Sequence, residues 1–252
     1  MKTISNVCYC QEHEQYLDIH LPECESFPVF VYFHGGGLKN GDKENQAVLY
    51  NYLTDHGVAV VAANYRMYPT ARYPDFLVDS AKAVAWTFQN MGAYGNVTGI
   101  YVGGSSAGGY ISQMLCFDAS WLSVHGIKPT DIAGYLHDAG QPTCHFNVLS
   151  ERGLDPRRVI IDETSPLYHI DDKEYAPMLV IVSDNDMENR YEQTMLLMST
   201  LKHFGHTEQV SLKVMHGKHC AYVRKVDENG ESILGKIALG FIQDTKDAAH
   251  KE

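Results

Sequence analysis

Ser106 stands in Gly104-Ser105-Ser106-Ala107-Gly108, a G-x-S-x-G pattern. Residues 97–102 before it are short, apolar and β-branched, and residues 110–117 after it can run on as a helix, so strand, sharp turn and helix are predicted around the serine. On such a turn a hydroxyl stands clear of the backbone, and flanking glycines let strand and helix approach closely. The chemistry this suits is acyl transfer, with Ser106 as the candidate nucleophile. The competing reading is a plain small-residue turn joining a strand to a helix. Nucleotide-binding readings fail, because no lysine is placed for a P-loop and no third glycine falls at dinucleotide spacing.

The elements that must position this serine follow from periodicity. Residues 7–21 alternate loosely and predict one or two edge strands, whereas 27–33 and 58–63 are nearly continuous apolar runs, as expected of strands covered on both faces. Further strands are predicted at 132–136, 177–182 and 210–215, and helices at 46–56, 75–91, 191–204 and 233–244. The alternation predicts a single α/β domain over 1–252: a mostly parallel central sheet with helices on both faces. Residues 137–172 break the pattern and read as a short lid, or substrate-covering insertion, after the sixth strand. In such sheets functional groups gather where strands end at their carboxyl edge. Four features do so here: His34-Gly35-Gly36-Gly37, Ser106, Asp184-Asn185-Asp186 and the segment from His216 to His219.

With these motifs in this order, the chain resembles the serine esterases and lipases of the α/β-hydrolase superfamily, close to hormone-sensitive-lipase-like, carbohydrate-esterase-like and kynurenine-formamidase-like members. The resemblance covers essentially the whole sequence and includes the order serine, acid, histidine. It implies that Ser106 forms an acyl-enzyme and that His219 is its base, with His216 as the alternative. Asp186 is the implied acid. Ser183 stands where that family's turn usually has glycine, which keeps Asp184 open as the acid. Backbone N–H groups of Gly36, Gly37 and Ala107 match the family's oxyanion hole, and His34 is expected to hold that loop in place. For the substrate pocket, Tyr65, Tyr68, Gln141, His145 and Phe146 are the candidates, with Tyr73, Thr143 and Tyr168 beside them, although packing alone accounts for each aromatic.

The implied activity is hydrolysis of short-chain or acetylated carboxylic esters. Aryl formamides are the alternative substrate, and a non-catalytic ligand-binding descendant the alternative to an enzyme. Few residues precede the HGGG motif, which suggests an open site and small soluble substrates. The chemistry needs no cofactor, and activity is expected to fall as the histidine becomes protonated. No metal site is expected, since the pairs His203/His206 and His216/His219 lack the glutamate of a helical zinc motif and the six cysteines lack zinc spacing. The net charge of −11 disfavours nucleic acid and anionic membrane as partners, leaving a small-molecule ester as the expected one. No signal-peptide pattern or membrane span is legible, so a cytoplasmic protein is expected, and a homodimer is compatible with the sequence.

Overall fold

Strands β1 (Lys2–Cys10) and β2 (Gln15–Leu21) pair antiparallel in the computed structural model, which describes residues 2–249, and β2 runs antiparallel to β4 (Ala59–Ala63). From β4 onward every pairing is parallel, through β3 (Ser26–Phe33), β5 (Asn96–Ser105), β6 (Gly134–Asp138), β7 (Met178–Asn185) and β8 (Val210–Lys218). The eight strands lie in the order β1-β2-β4-β3-β5-β6-β7-β8.

The continuous apolar runs have a direct cause. In β3, Phe27, Val29, Val31 and Phe33 enter one core, while Phe30 and Tyr32 enter the other. Successive side chains point to opposite faces, so a strand with helices on both sides needs apolar residues at every position. The first core is covered by α2 (Asp75–Asn90), α3 (Ala107–Phe117), the short α4 (Ser120–Ser123) and α6 (Arg190–His203), the second by α1 (Ala47–Asp55) and α7 (Ile233–Ala249).

Several strands run further than the apolar pattern predicts. β5 continues through Gly103 and Gly104, which pair with Leu136 and His137 of β6, and backbone pairing needs no apolar side chain. For the same reason β6 takes in His137 and Asp138, the first two residues of the expected insertion, and both are fully buried. The remainder of that stretch holds α5 (Phe146–Glu151) and a single 3₁₀ turn at Pro166–His169. Cys144, Val148, Leu149, Leu167 and Ile170 tie it into the first core. β8 extends through His216 to Lys218, which puts His216 on the strand and His219 just past its end. Among the described residues no helix is long and apolar enough to cross a membrane.

Candidate active site

Ser106 links β5 to α3 with φ 58° and ψ −111°, a conformation that costs a non-glycine residue on the order of 1–3 kcal/mol. The turn is held from outside: the Ser106 N–H donates to the Asp138 carbonyl at 2.7 Å. Its glycines are required by contact, since a Cβ on Gly104 would lie 2.5 Å and one on Gly108 1.9 Å from the Phe33 carbonyl oxygen. Only bare backbone allows α3 to start this close to the end of β3.

Ser106 Oγ lies 2.8 Å from His219 Nε2, and His219 Nδ1 lies 2.5 Å from Asp186 Oδ1. The three groups come from the ends of β5, β8 and β7, which the sheet order sets on one edge. The Asp186 side chain is wholly buried, that of His219 about one-fifth exposed. Burial works against ionisation of Asp186. Its hydrogen bond to His219, the charge of that ring and the N–H groups of Met187 and Ser183 outweigh burial and hold the carboxyl below its ordinary range. Asp184 and His216 instead pair with each other at 2.6 Å, with the His216 side chain 96% exposed. That pair faces solvent, while the Ser106 hydroxyl bonds to His219.

The glycine loop after β3 lies against the serine: a Cβ on Gly35 would come within 3.2 Å of Ser106 Cβ. Gly36 and Gly37 adopt φ of 120° and 64°, the left-handed range, and neither N–H finds an acceptor among the described residues. Ala107 opens α3, so its N–H belongs to a first turn that lacks intrahelical partners. His34 anchors the loop through Nδ1 to the Gly35 carbonyl at 2.8 Å, and burial pushes its pKa down. These groups border a cleft of about 970 Å³ whose walls include Phe146, Asn147, Met187 and Cys220.

Solved structures share this arrangement of strands and helices. Esterase B from Lactobacillus rhamnosis superposes with a TM-score of 0.80 at 17% identity, covering 99% of this chain and 88% of that one. A truncated carbohydrate esterase from gut microbiota gives 0.75 at 17% identity, covering 98% and 97%. This chain has the α/β-hydrolase fold. The family model BD-FAE matches residues 17–125 of this chain, which hold the glycine loop and the serine turn. Its curated relatives include a probable carboxylic ester hydrolase, LipM, of Mycobacterium tuberculosis, 36% identical over 89 residues, 34% of this chain and 21% of that protein. The kynurenine formamidase of Salmo salar is 28% identical over 137 residues, 54% of this chain and 45% of that protein. The aligned regions thus span from about a fifth to just under half of these relatives' lengths.

Of the five pocket candidates, the fold brings only Phe146 to the cleft. Tyr65 is buried beneath the glycine loop, where its hydroxyl donates to the His34 carbonyl at 2.7 Å and its ring stacks on His34 at 4.5 Å. Tyr68 donates to Glu151 Oε2 at 2.5 Å. His145 caps α5 by accepting from the Asn147 N–H at 3.2 Å, and burial holds its pKa well down. Gln141 bonds inward to Thr143 and Cys144 and lines a separate, smaller cavity. In each case a polar atom that the sequence offers to a ligand finds a partner inside the protein.

Other residues of the site carry little signal in the sequence. Asn147 Nδ2 donates to the Gly37 carbonyl, tying α5 to the glycine loop. Behind the serine turn, Asp138 accepts from the hydroxyls of Ser105 and Tyr222, and Tyr32 donates to Ser105 at 2.8 Å. Burial pushes the Asp138 carboxyl up to about 6 against the opposing pull of the two hydroxyls and His219. Asp138 ends a strand and is fully buried, the one usable hint being a carboxylate at the carboxyl edge beside the strand that leads to Ser106. Among the described residues no group of three or more His, Cys, Asp or Glu side chains could hold a metal ion.

Proposed function

We propose that this α/β-hydrolase is a serine hydrolase that cleaves short-chain or acetylated carboxylic esters of small molecules. One observation carries the reading: the unbroken line from Ser106 Oγ through His219 to Asp186, at the floor of a cleft bordered by unpaired backbone N–H groups.

His219 Nε2 takes the Ser106 proton as Oγ attacks the acyl carbonyl, and the N–H groups of Gly36, Gly37 and Ala107 receive the resulting oxyanion. Asp186 holds the His219 tautomer with Nδ1–H donating and stabilises the imidazolium. That imidazolium protonates the leaving oxygen, which frees the alcohol and leaves the acyl group on Ser106. Water, deprotonated by His219, then releases the carboxylic acid. Preorganised donors of this kind contribute several kcal/mol of barrier reduction, roughly 3–4 for a single donor. Residues 139–172 we read as the segment covering the substrate, with Phe146 and Asn147 as its part facing the cleft.

The ester-hydrolase and esterase names among the relatives and structural neighbours support this reaction class. The kynurenine formamidase relatives favour a second reading, an aryl formamide as the acyl donor, which the same acyl-enzyme would serve. The test is turnover of nitrophenyl acetate through octanoate and of an aryl formamide by wild type and Ser106→Ala, with a fluorophosphonate to label the serine. Turnover and labelling that both vanish in the variant support serine hydrolysis. A wild type that is neither labelled nor active on any of these acyl donors would put a non-catalytic binding role in its place.

A further inference from the structure

The charge distribution in the cleft differs from that of the chain. Along the whole sequence acidic residues outnumber lysine and arginine 31 to 20. The nineteen residues lining the cleft include Lys39, Arg224 and Lys225 and not one aspartate or glutamate. All three cations are exposed, and none forms an ion pair or side-chain hydrogen bond among the described residues. Nearby carboxylates are already engaged: Asp42 accepts from Asn64 Nδ2 and the Glu44 N–H, and Asp186 holds His219.

The cleft wall also contains amides. Asn40, Asn45 and Gln46 line it. A half-turn of an amide exchanges oxygen for N–H₂, so such a group can meet a donor or an acceptor on a ligand.

We infer that the substrate carries an anionic group, a carboxylate or comparable oxyanion on its acyl or its leaving side, which Lys39, Arg224 and Lys225 bind when the carbonyl is at Ser106. This rests on the serine-hydrolase reading above and narrows its substrate class. A guanidinium and two ammonium groups without partners among the described residues offer charge-assisted hydrogen bonds to such an oxyanion. The chain's overall charge repels an anion from afar, but at about 0.1 M salt that field fades beyond about 10 Å, whereas cations lining the cleft act at contact.

The probes are two matched pairs of esters. In 4-acetoxybenzoate against phenyl acetate the carboxylate is on the leaving side, and in mono-4-nitrophenyl succinate against 4-nitrophenyl butyrate it is on the acyl side. The readout is the anionic-to-neutral ratio of kcat/KM for wild type and for the triple variant Lys39→Gln, Arg224→Gln, Lys225→Gln. In at least one pair the ratio is expected to fall roughly tenfold in the variant. The wild-type ratio is also expected to fall several-fold as salt rises from about 0.02 to about 0.5 M, a measurement independent of the variant's folding. Ratios that stay within twofold in both pairs, in the variant and across salt, overturn the anionic substrate while leaving serine hydrolysis standing. No turnover of any probe by wild type, or equal turnover by Ser106→Ala, overturns the hydrolase reading itself and this inference with it.

Discussion

Asp138 links the stability of this protein to pH in a way that can be worked through. Its carboxyl is fully buried behind the Ser106 turn and held near 6 rather than 3.8, chiefly by burial. Ionising it in the folded state therefore costs about 3 kcal/mol more than in the unfolded chain, at about 1.4 kcal/mol per pH unit. Because the folded-state value is the raised one, the folded protein holds this proton between pH 4 and 6 while the unfolded chain releases it. The stabilisation is thus fully present below the unfolded value and is lost as pH rises through about 6. Asp138→Asn keeps the shape and removes the titration, though its amide must rearrange against Ser105 and Tyr222 at a pH-independent cost of about 1–3 kcal/mol. The difference in unfolding free energy, wild type minus variant, is expected to grow in favour of wild type by roughly 1.4 kcal/mol from pH 7.5 to 5 and roughly 2.4 kcal/mol by pH 4. Reversible urea unfolding of both proteins at each pH measures it, and the common contributions of other carboxylates cancel in the difference. A difference that is flat with pH, or that grows in the opposite direction, would refute the assignment of this carboxyl as a buried, raised-pKa group.

Three further outcomes follow from the geometry. Asp186→Asn, which loses the acceptor holding the His219 tautomer, is expected to lower kcat by roughly 10²–10⁴-fold, while Asp184→Asn, on the solvent-facing pair, stays within about threefold; steady-state kinetics on one nitrophenyl ester decides between the two acids. Gly108→Ala places a methyl group 1.9 Å from the Phe33 carbonyl and is expected to destabilise the fold by more than about 3 kcal/mol, or to prevent soluble expression; a melting temperature equal to wild type would contradict the packing of α3 on β3. Asn147→Ala releases the Gly37 carbonyl and is expected to reduce kcat about tenfold with a smaller change in KM, because the loop it steadies faces the oxyanion; an effect confined to KM would make Asn147 a substrate-binding residue instead.

The sequence by itself determined the layered α/β plan, the turn that carries Ser106 and the glycine loop, because each is written in local terms. Apolar runs with both faces covered specify buried parallel strands, and glycines specify where backbone meets backbone. At the acid and the base, local reading narrows each choice to a pair, Asp184 or Asp186 and His216 or His219, and stops there. Choosing within those pairs takes the ends of β7 and β8: two residues' travel along a strand end separates the buried Asp186 from the exposed Asp184, and one residue past β8 separates His219 from the strand that carries His216. Only the tertiary structure decided which polar and aromatic side chains line the cleft. Tyr65, Tyr68, Gln141 and His145 have the composition of a pocket, but each hydrogen-bonds a partner within the protein. Ser105, Asp138 and Tyr222 lie far apart in the chain, and the network they form exists because adjacent parallel strands bring Ser105 and Asp138 side by side. A side chain's role at a site depends on what surrounds it, and in a parallel sheet those surroundings come from residues dozens of positions away.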